Sequence, residues 1–295
     1  MLTYFQAIIM GAIQGMTELF PVSSLGHSVI LPRILGWTID QHGNFFLIFL
    51  VATHLATAIV LFGFFYKDWV LIVKGIVRSL KARNIDPLDT YAKLGWLIVV
   101  SSIPAGILGL LFEENLKTLF ASPKSVAIFL ILNGLMLYGA ELLNRKHENA
   151  SMAHEKLSAD HDTHNDDVIA KISWVQSVKV GLAQCLALIP GFSRTGSTIG
   201  GGMLIGLNRD NAARFSFLLA APIILAASIL KLPELATSSD SSFIGPILTG
   251  SIAAGIMAYF SVRFLSKYFE TKKLTPFAIY CVIAGIIASL VFLVR

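Results

Sequence analysis

The sequence predicts an all-α polytopic membrane protein: six transmembrane helices and two re-entrant helical hairpins, arranged as an inverted-topology repeat. Three observations carry this reading. Of the 295 residues, 55% are hydrophobic and only 14% are charged, with a mean hydropathy of +0.72. A soluble domain carries about 25% charged residues, so the deficit marks a chain that uses lipid as its solvent. Six stretches approach the roughly 20 apolar residues that a spanning helix needs. Two further apolar stretches are interrupted by polar segments rich in Pro, Gly and Ser.

The six spans read as roughly Asn44–Phe65, Trp96–Phe112, Ser125–Leu143, Phe215–Leu230, Thr249–Phe264 and Pro276–Leu293. The first broken stretch runs from Tyr4 to Leu35 and is interrupted at Pro21-Val-Ser-Ser-Leu-Gly26. The second runs from Val178 to Leu207 and is interrupted at Pro190-Gly-Phe-Ser-Arg-Thr-Gly196. Each half is too short to cross comfortably. Irregular backbone at membrane depth survives only where protein or a wet cavity satisfies it, so both stretches read as re-entrant hairpins.

Charge sets the orientation. Lys67 to Lys93 carries six basic residues, and Arg145 to Lys171 carries four within a stretch rich in Asp, Glu and His. Lys267, Lys272 and Lys273 form a third group. The positive-inside rule makes these three loops cytoplasmic. The same rule accounts for the formal net charge of +5, and no nucleic-acid partner is implied. Residues 36–43, 113–124 and 232–248 are then external and hold only Lys117 and Lys124. Both termini fall on the external side. The polar segment 149–167, with His147, His154, His161 and His164 in or near it, reads as a flexible cytoplasmic loop. Cys185 and Cys281 lie far apart in apolar surroundings and imply neither a disulfide framework nor a cysteine metal site. The apolar N-terminus lacks a basic n-region and a small-residue cleavage site, so it reads as retained structure.

The chain therefore reads as one membrane domain over 1–295. Its first repeat covers about 1–143, its polar cytoplasmic loop about 144–172 and its second repeat about 173–295. A weak internal similarity supports the division. Gln14 precedes Pro21 by seven residues and Ser24 by ten, while Gln184 precedes Pro190 by six and Ser193 by nine. On the charge-derived topology one hairpin enters from outside and the other from inside. That inverted arrangement brings broken helices together near the midplane.

The chemistry concentrates at the two breaks. A charge at the membrane centre costs about 2.5–3.5 kcal/mol on insertion scales. Glu18 and Arg194 both sit in such places, one per hairpin. Around Arg194, the glycines permit close backbone approach, and Ser193, Thr195, Ser197 and Thr198 bring hydroxyls. The guanidinium offers a planar fork suited to phosphate, and a helix starting after the break would aim N–H groups at the same point. Around Glu18, Gln14 stands four residues earlier on the same helix face. Ser24 offers a nucleophilic hydroxyl, and His27 a proton donor or acceptor near neutral pH. A hydroxyl with Glu and His nearby, facing a phosphate-binding Arg, is the equipment of phosphoryl transfer through a covalent intermediate. His54, in the middle of an apolar span, reads as a helix-packing residue.

The segments Gln14–His27 and Pro190–Thr198 resemble the two sequence motifs of the undecaprenyl-diphosphate phosphatase family, the bacitracin-resistance type. These are a (Glu/Gln)-x-x-x-Glu motif and a Pro-Gly-x-Ser-Arg-(Ser/Thr)-x-x-Thr motif. The resemblance continues through Gly200-Gly-Gly-Met-Leu204, Phe215-Ser-Phe-Leu-Leu-Ala-Ala-Pro222 and Pro276-Phe-Ala-Ile-Tyr280. It implies an enzyme of the bacterial inner membrane that removes the terminal phosphate of a C55 isoprenyl diphosphate, recycling the carrier lipid for wall synthesis and conferring bacitracin resistance. The active site is then open to the periplasmic face. The resemblance makes Glu18 the second acid of the first motif, Ser24 the nucleophile, His27 the essential histidine, and Ser193, Arg194 and Thr198 the phosphate holders. With Thr195 and Gln14 they make up the expected site. It also implies a homodimer and a divalent cation, Mg²⁺ or Ca²⁺, near Glu18, with no organic cofactor. Gln14 departs from the acidic form of the first motif and removes one carboxylate from a two-carboxylate metal scheme. Either Glu18 or His27 is the base, and Ser24 either forms a phosphoenzyme or positions water.

Two other readings compete. A lipid flippase shares the inverted-repeat architecture and would bind a lipid phosphate without cleaving it, but has no need for Ser24, Glu18 and His27 together. A membrane phosphatase using a phosphohistidine needs a second His after its Ser-Arg pair. Residues 195–209 contain none, which discards it.

Overall fold

The computed structural model describes residues 2–41, 43–112, 122–155, 165–236 and 244–294. The helices are α1 (Tyr4–Leu19), α2 (Ser24–Ile34), α3 (Asn44–Phe64), α4 (Tyr66–Ala82), α5 (Thr90–Leu111) and α6 (Pro123–Glu155). They continue as α7 (Asn165–Ala170), α8 (Trp174–Gln184), α9 (Arg194–Leu204), α10 (Arg209–Ala236), α11 (Ile244–Thr271) and α12 (Thr275–Val294), with a 3₁₀ turn at Cys185–Leu188. Among the described residues the only extended pairing is one bridge between Pro190 and Phe192. Among the described residues six helices are long and apolar enough to cross a membrane: α3, α5, α11 and α12, and α6 and α10 over Pro123–Asn144 and Arg209–Lys231. These are the six spans read from hydropathy.

Each break forms for local reasons. After α1 the chain turns through Phe20–Ser23, where Ser23 takes φ 67 and caps α2 by accepting the Gly26 N–H at 3.1 Å. After α8 it tightens into the 3₁₀ turn, passes Pro190 and Gly191 at φ 107, and Ser193 caps α9 by accepting the Gly196 N–H at 3.1 Å. The helices before the two breaks also begin alike. Thr3 and Gln6 form a capping box on α1, and Ser173 and Gln176 form one on α8. Gly11 of α1 lies against the backbone of Gly250 in α11, and Gly181 of α8 lies against the backbone of Ser101 in α5. A methyl group at either glycine would collide with a carbonyl oxygen, so these glycines set the helix–helix approach. The paired positions stand at a constant offset: 3 and 173, 11 and 181, 14 and 184, 23 and 193, 26 and 196. Ser23 and Ser193 each stand one residue before the helix they cap, 170 positions apart, whereas the proline spacing sets Ser24 beside Ser193.

α10 is the most enclosed span, with 56% of its most apolar stretch buried against 28% for α11 and α12. It contributes Phe215, Phe217, Leu218 and Leu219 to the core. α11 and α12 turn Ile252, Ile256, Phe260, Ile279, Ile283 and Ile287 outward, as lipid-facing surfaces require.

Two stretches read as loops are helical. Residues 66–82 form α4, whose buried edge of Ile72, Gly75 and Ser79 packs on α5. Its charge excluded it from any span while its helical period went unread. α6 continues to Glu155, beyond the expected loop start at Arg145. The rest of the expected loop up to 164 lies outside the described residues, as do the side chains of His147, His154, His161 and His164 and most of the expected external segments 113–124 and 232–248. α5 and α10 each start six residues before the hydropathic boundary. At the start of α5 Thr90 donates to Asp167 at 2.6 Å, and in α10 Arg209 pairs with Glu141 at 2.8 Å and Arg214 with Asp166 at 2.6 Å and Asp68 at 2.9 Å.

Candidate active site

The two breaks meet. Asn133 of α6 joins them: its amide nitrogen donates to the Pro21 carbonyl at 3.1 Å, and its amide oxygen accepts the Ser193 N–H at 3.0 Å. Thr195 donates its hydroxyl to the Glu18 carbonyl at 2.9 Å, and Ser193 donates to the Phe20 carbonyl at 3.4 Å. These bonds fix the last turn of α1 against the first turn of α9.

Glu18 is the centre of the cluster and is 7% exposed. Arg194 reaches one carboxylate oxygen, Oε1, at 2.9 Å. The other oxygen, Oε2, receives the Gln14 amide at 2.9 Å and the Ser24 hydroxyl at 2.5 Å, and lies 3.2 Å from Nε2 of His54. Ser24 and Arg194 are each the first residue of a helix, so the N-termini of α2 and α9 lie at the same cluster. Two positive dipole ends there favour an anion. Arg194 Nη1 and Gln14 Oε1 are buried without a hydrogen-bond partner. A buried guanidinium N–H left unpaired costs about as much as a lost charged hydrogen bond, unless a ligand completes it.

His54 is the residue that sequence reading missed. Its Nδ1 lies 2.7 Å from the Leu50 carbonyl, a contact that requires an N–H at Nδ1. For Nε2 to donate to Glu18, the ring must carry both protons. Alternatively the ring is neutral and Glu18 holds the proton. The two groups lie 3.2 Å apart, close enough to pass a proton between them. Nothing near His54 in sequence announces this, because its partner lies on another helix.

The structure brings Glu18, Ser24, Gln14 and Arg194 together, as expected. His27 lies apart. Its Nδ1 is 2.6 Å from the Ser23 carbonyl, its Nε2 is 2.7 Å from the Tyr280 hydroxyl, and its ring stacks on Tyr280. It makes no hydrogen bond to Ser24 or Glu18. Thr198 turns its hydroxyl to the Arg194 carbonyl at 2.9 Å and to Ser216 at 2.5 Å, away from Glu18.

The donor set does not build a resident divalent-cation site. Mg²⁺ and Ca²⁺ take six or more oxygens. Here both oxygens of Glu18 are engaged, one by a guanidinium, and Gln14 Oε1 is the one spare buried oxygen beside them. Among the described residues no three His, Cys, Asp or Glu gather as metal ligands.

Comparison with known proteins agrees with the motifs. The description "Bacitracin resistance protein BacA" matches residues 7–287. A protein of Mycolicibacterium paratuberculosis named undecaprenyl-diphosphatase is 46% identical over 303 residues, covering 99% of this chain and 98% of its own. One of the same name from Mycobacterium avium is also 46% identical, with the same coverage. Undecaprenyl-diphosphatase 2 of Frankia alni is 39% identical over 339 residues. The match runs through both breaks and every residue of the cluster, and this chain belongs to the bacitracin resistance protein BacA family.

Proposed function

We propose that this protein is an undecaprenyl-diphosphatase: a membrane hydrolase that converts undecaprenyl diphosphate and water to undecaprenyl phosphate and inorganic phosphate. The observation that carries the reading is the 2.5 Å contact from the Ser24 hydroxyl to Glu18, beside a guanidinium with an unspent N–H. A lipid carrier would need the guanidinium. It would have no use for a hydroxyl aimed at a carboxylate.

The geometry supports the following sequence. Arg194, through Nη1, takes an oxygen of the terminal phosphate, and the N-terminal turns of α2 and α9 face the same group. Ser24 Oγ attacks the terminal phosphorus as its proton passes to Glu18 Oε2. A new O–P bond forms, and the bond to the bridging oxygen breaks, releasing undecaprenyl phosphate with that oxygen. Glu18 gives the serine proton up to the departing lipid phosphate; water then attacks the phosphoserine, Glu18 takes the water's proton, and returns it to Ser24 Oγ as the O–P bond breaks. Arg194 stabilises charge on the transferring phosphoryl in both steps. Glu18 is the base because it touches Ser24, which His27 does not. His27, one helical turn beyond Ser24, shapes the approach with Tyr280. Gln14, Thr195, Ser193 and Thr198 hold the frame. No step is routed through a metal ion.

We read α1–α2 and α8–α9 as re-entrant hairpins of two inverted repeats. The constant offset of matched positions supports this. So does the packing: α1 lies on α11 as α8 lies on α5, and α6 pairs with α12. Near the start of α10, Arg209 joins Glu141, which also accepts the Leu274 N–H, and Arg214 joins Asp68 and Asp166. The three basic segments therefore leave the bundle on one side, which we place in the cytoplasm of the inner membrane. The site then opens to the periplasmic side.

The test is phosphate release from undecaprenyl diphosphate by purified protein in detergent. Release by the parent and none above background from Ser24→Ala supports the reading. Failure of the folded parent to release phosphate overturns it. Mass spectrometry of protein quenched during turnover should find the phosphoryl group on Ser24.

A further inference from the structure

A basic cavity lies away from the Glu18 cluster, at the end of the bundle where α5 begins. A cavity of about 920 Å³ opens between the end of α4, the start of α5 and the start of α8. Its walls carry Arg83, Lys93 and Lys171, the indoles of Trp96 and Trp174, and Leu80, and none of its lining residues is acidic. The carboxylates nearby line a neighbouring cavity instead, Asp86 accepting the Leu88 N–H at 2.9 Å and the other three held by further partners. Asp89 binds Arg78 at 2.8 Å, Asp166 binds Arg214 at 2.6 Å, and Asp167 accepts the Thr90 hydroxyl at 2.6 Å. No carboxylate among the described residues pairs with Arg83, Lys93 or Lys171. Lys93 instead stands over the Trp174 ring, 3.6 Å from its centroid. Three cations around one cavity repel each other and call for an anion.

α4 says which anion. Its exposed surface divides into two stripes. Tyr66, Val70, Val73, Val77 and Leu80 follow a 4-3-4-3 spacing and form an apolar edge that ends in the cavity wall at Leu80. Lys67, Lys74, Arg78 and Lys81 form a basic edge beside it. Its third edge is buried on α5. An apolar edge, a basic edge and flanking indoles describe a helix lying in the headgroup layer of a bilayer. A free phosphate ion would use the cations and leave the apolar edge without purpose. An anionic lipid uses both.

We propose that this cavity seats the phosphate headgroup of an anionic phospholipid, with its acyl chains against the apolar edge of α4. Arg83, Lys93 and Lys171 bind the phosphate, and Trp96 and Trp174 sit at the boundary between headgroup and chains. The site is independent of the phosphatase reading, since it shares no residue with the Glu18 cluster.

The experiment is native mass spectrometry of the full-length protein in detergent, titrated with phosphatidylglycerol or phosphatidylcholine of identical chains. Phosphatidylglycerol should be retained in preference to phosphatidylcholine. Arg83→Gln with Lys171→Gln should weaken phosphatidylglycerol binding by about fivefold per charge removed and leave phosphatidylcholine unchanged. Both side chains are exposed, so the double variant should fold, and Lys171→Gln alone repeats the test with one charge if it does not. Phosphate release in detergent should be unchanged in either variant. Equal retention of the two lipids by the parent overturns the proposal, as does parental phosphatidylglycerol affinity in the folded double variant. Displacement of phosphatidylglycerol by inorganic phosphate at equal concentration also overturns it, because the chains would then contribute nothing.

Discussion

Replacing His54 by alanine tests whether the proton ledger of the Glu18 cluster is real. Four side chains hold the Glu18 carboxylate: Arg194 on Oε1, and Gln14, Ser24 and His54 on Oε2. His54 is the only one of the four that can hold a proton for Glu18 and return it. A hydrogen bond to a charged group contributes about 1.5–3 kcal/mol. At about 1.36 kcal/mol per tenfold in rate, His54→Ala should lower kcat/KM by about 10- to 150-fold. The loss should fall on kcat, because the imidazole touches the base and not the phosphate. His54→Gln, which keeps a donor but cannot store a proton, should recover only part of it. The assay is initial-rate phosphate release over a range of lipid diphosphate concentrations, with thermal unfolding in the same detergent as the control. A folded His54→Ala protein with kcat within about twofold of the parent would refute the passing of a proton between His54 and Glu18.

Three further substitutions probe the remaining parts of the cluster. Arg194→Lys keeps the charge but loses the planar fork and the unspent Nη1, so phosphate release should fall by about 100- to 1,000-fold with unfolding temperature little changed. Asn133→Ala removes the bond from α6 to Pro21 and Ser193, leaving the buried Ser193 N–H unpaired and the Pro21 carbonyl with only the Cys281 thiol at 3.8 Å. At about 1–3 kcal/mol for the unpaired N–H, it should lower the unfolding temperature measurably. Tyr280→Phe deletes the hydroxyl 2.7 Å from His27 Nε2 while keeping the stacked ring. A neutral hydrogen bond contributes about 0.5–1.5 kcal/mol, so activity should fall by about two- to twelvefold, and a change beyond that range would place His27 on the reacting group itself.

The spans and both breaks were legible because each depends on residues adjacent in sequence. An apolar run sets a span, and Pro, Gly and Ser with an unaffordable charge set a break. Ser24, Glu18 and Arg194 were legible for the same reason, as polar chemistry in a setting where polarity is costly. His54 fits that description too, yet a single histidine in a 21-residue span has an ordinary packing explanation. Only the fold shows that its Nε2 faces Glu18, 36 positions away (18 to 54). Asn133 was invisible on the same grounds, since its role is to join two backbones that sequence cannot place. The spacing of the two breaks depends on which residue is used to align them. Proline marks each break but does not occupy equivalent positions in the two, whereas the capping serines do, because a cap must sit one residue before the helix it starts. α4 was not legible as a helix because its charges break the apolar run that marks a span, although its basic residues lie along one edge.

Gln14 connects the cluster to the question of metal. Its amide nitrogen donates to Glu18 Oε2 at 2.9 Å, a bond that a carboxylate at the same position could not make. Gln14→Glu would set two carboxylates in contact inside a buried cluster. Two like charges about 4 Å apart repel by about 4 kcal/mol at an effective dielectric near 20. The pair would have to hold a proton between them or recruit a cation. Glu18 would then present an oxygen no longer occupied by an amide donor, and the second carboxylate would supply the ligands that the parent cluster lacks. Activity of Gln14→Glu should therefore depend more steeply on added Mg²⁺ or Ca²⁺ than that of the parent, and fall further under a chelator. Phosphate release measured across a chelator titration decides it. Coincident curves for the two proteins would mean that the residue at position 14 does not govern cation dependence, and that any cation requirement arises from the substrate diphosphate rather than from the Glu18 cluster.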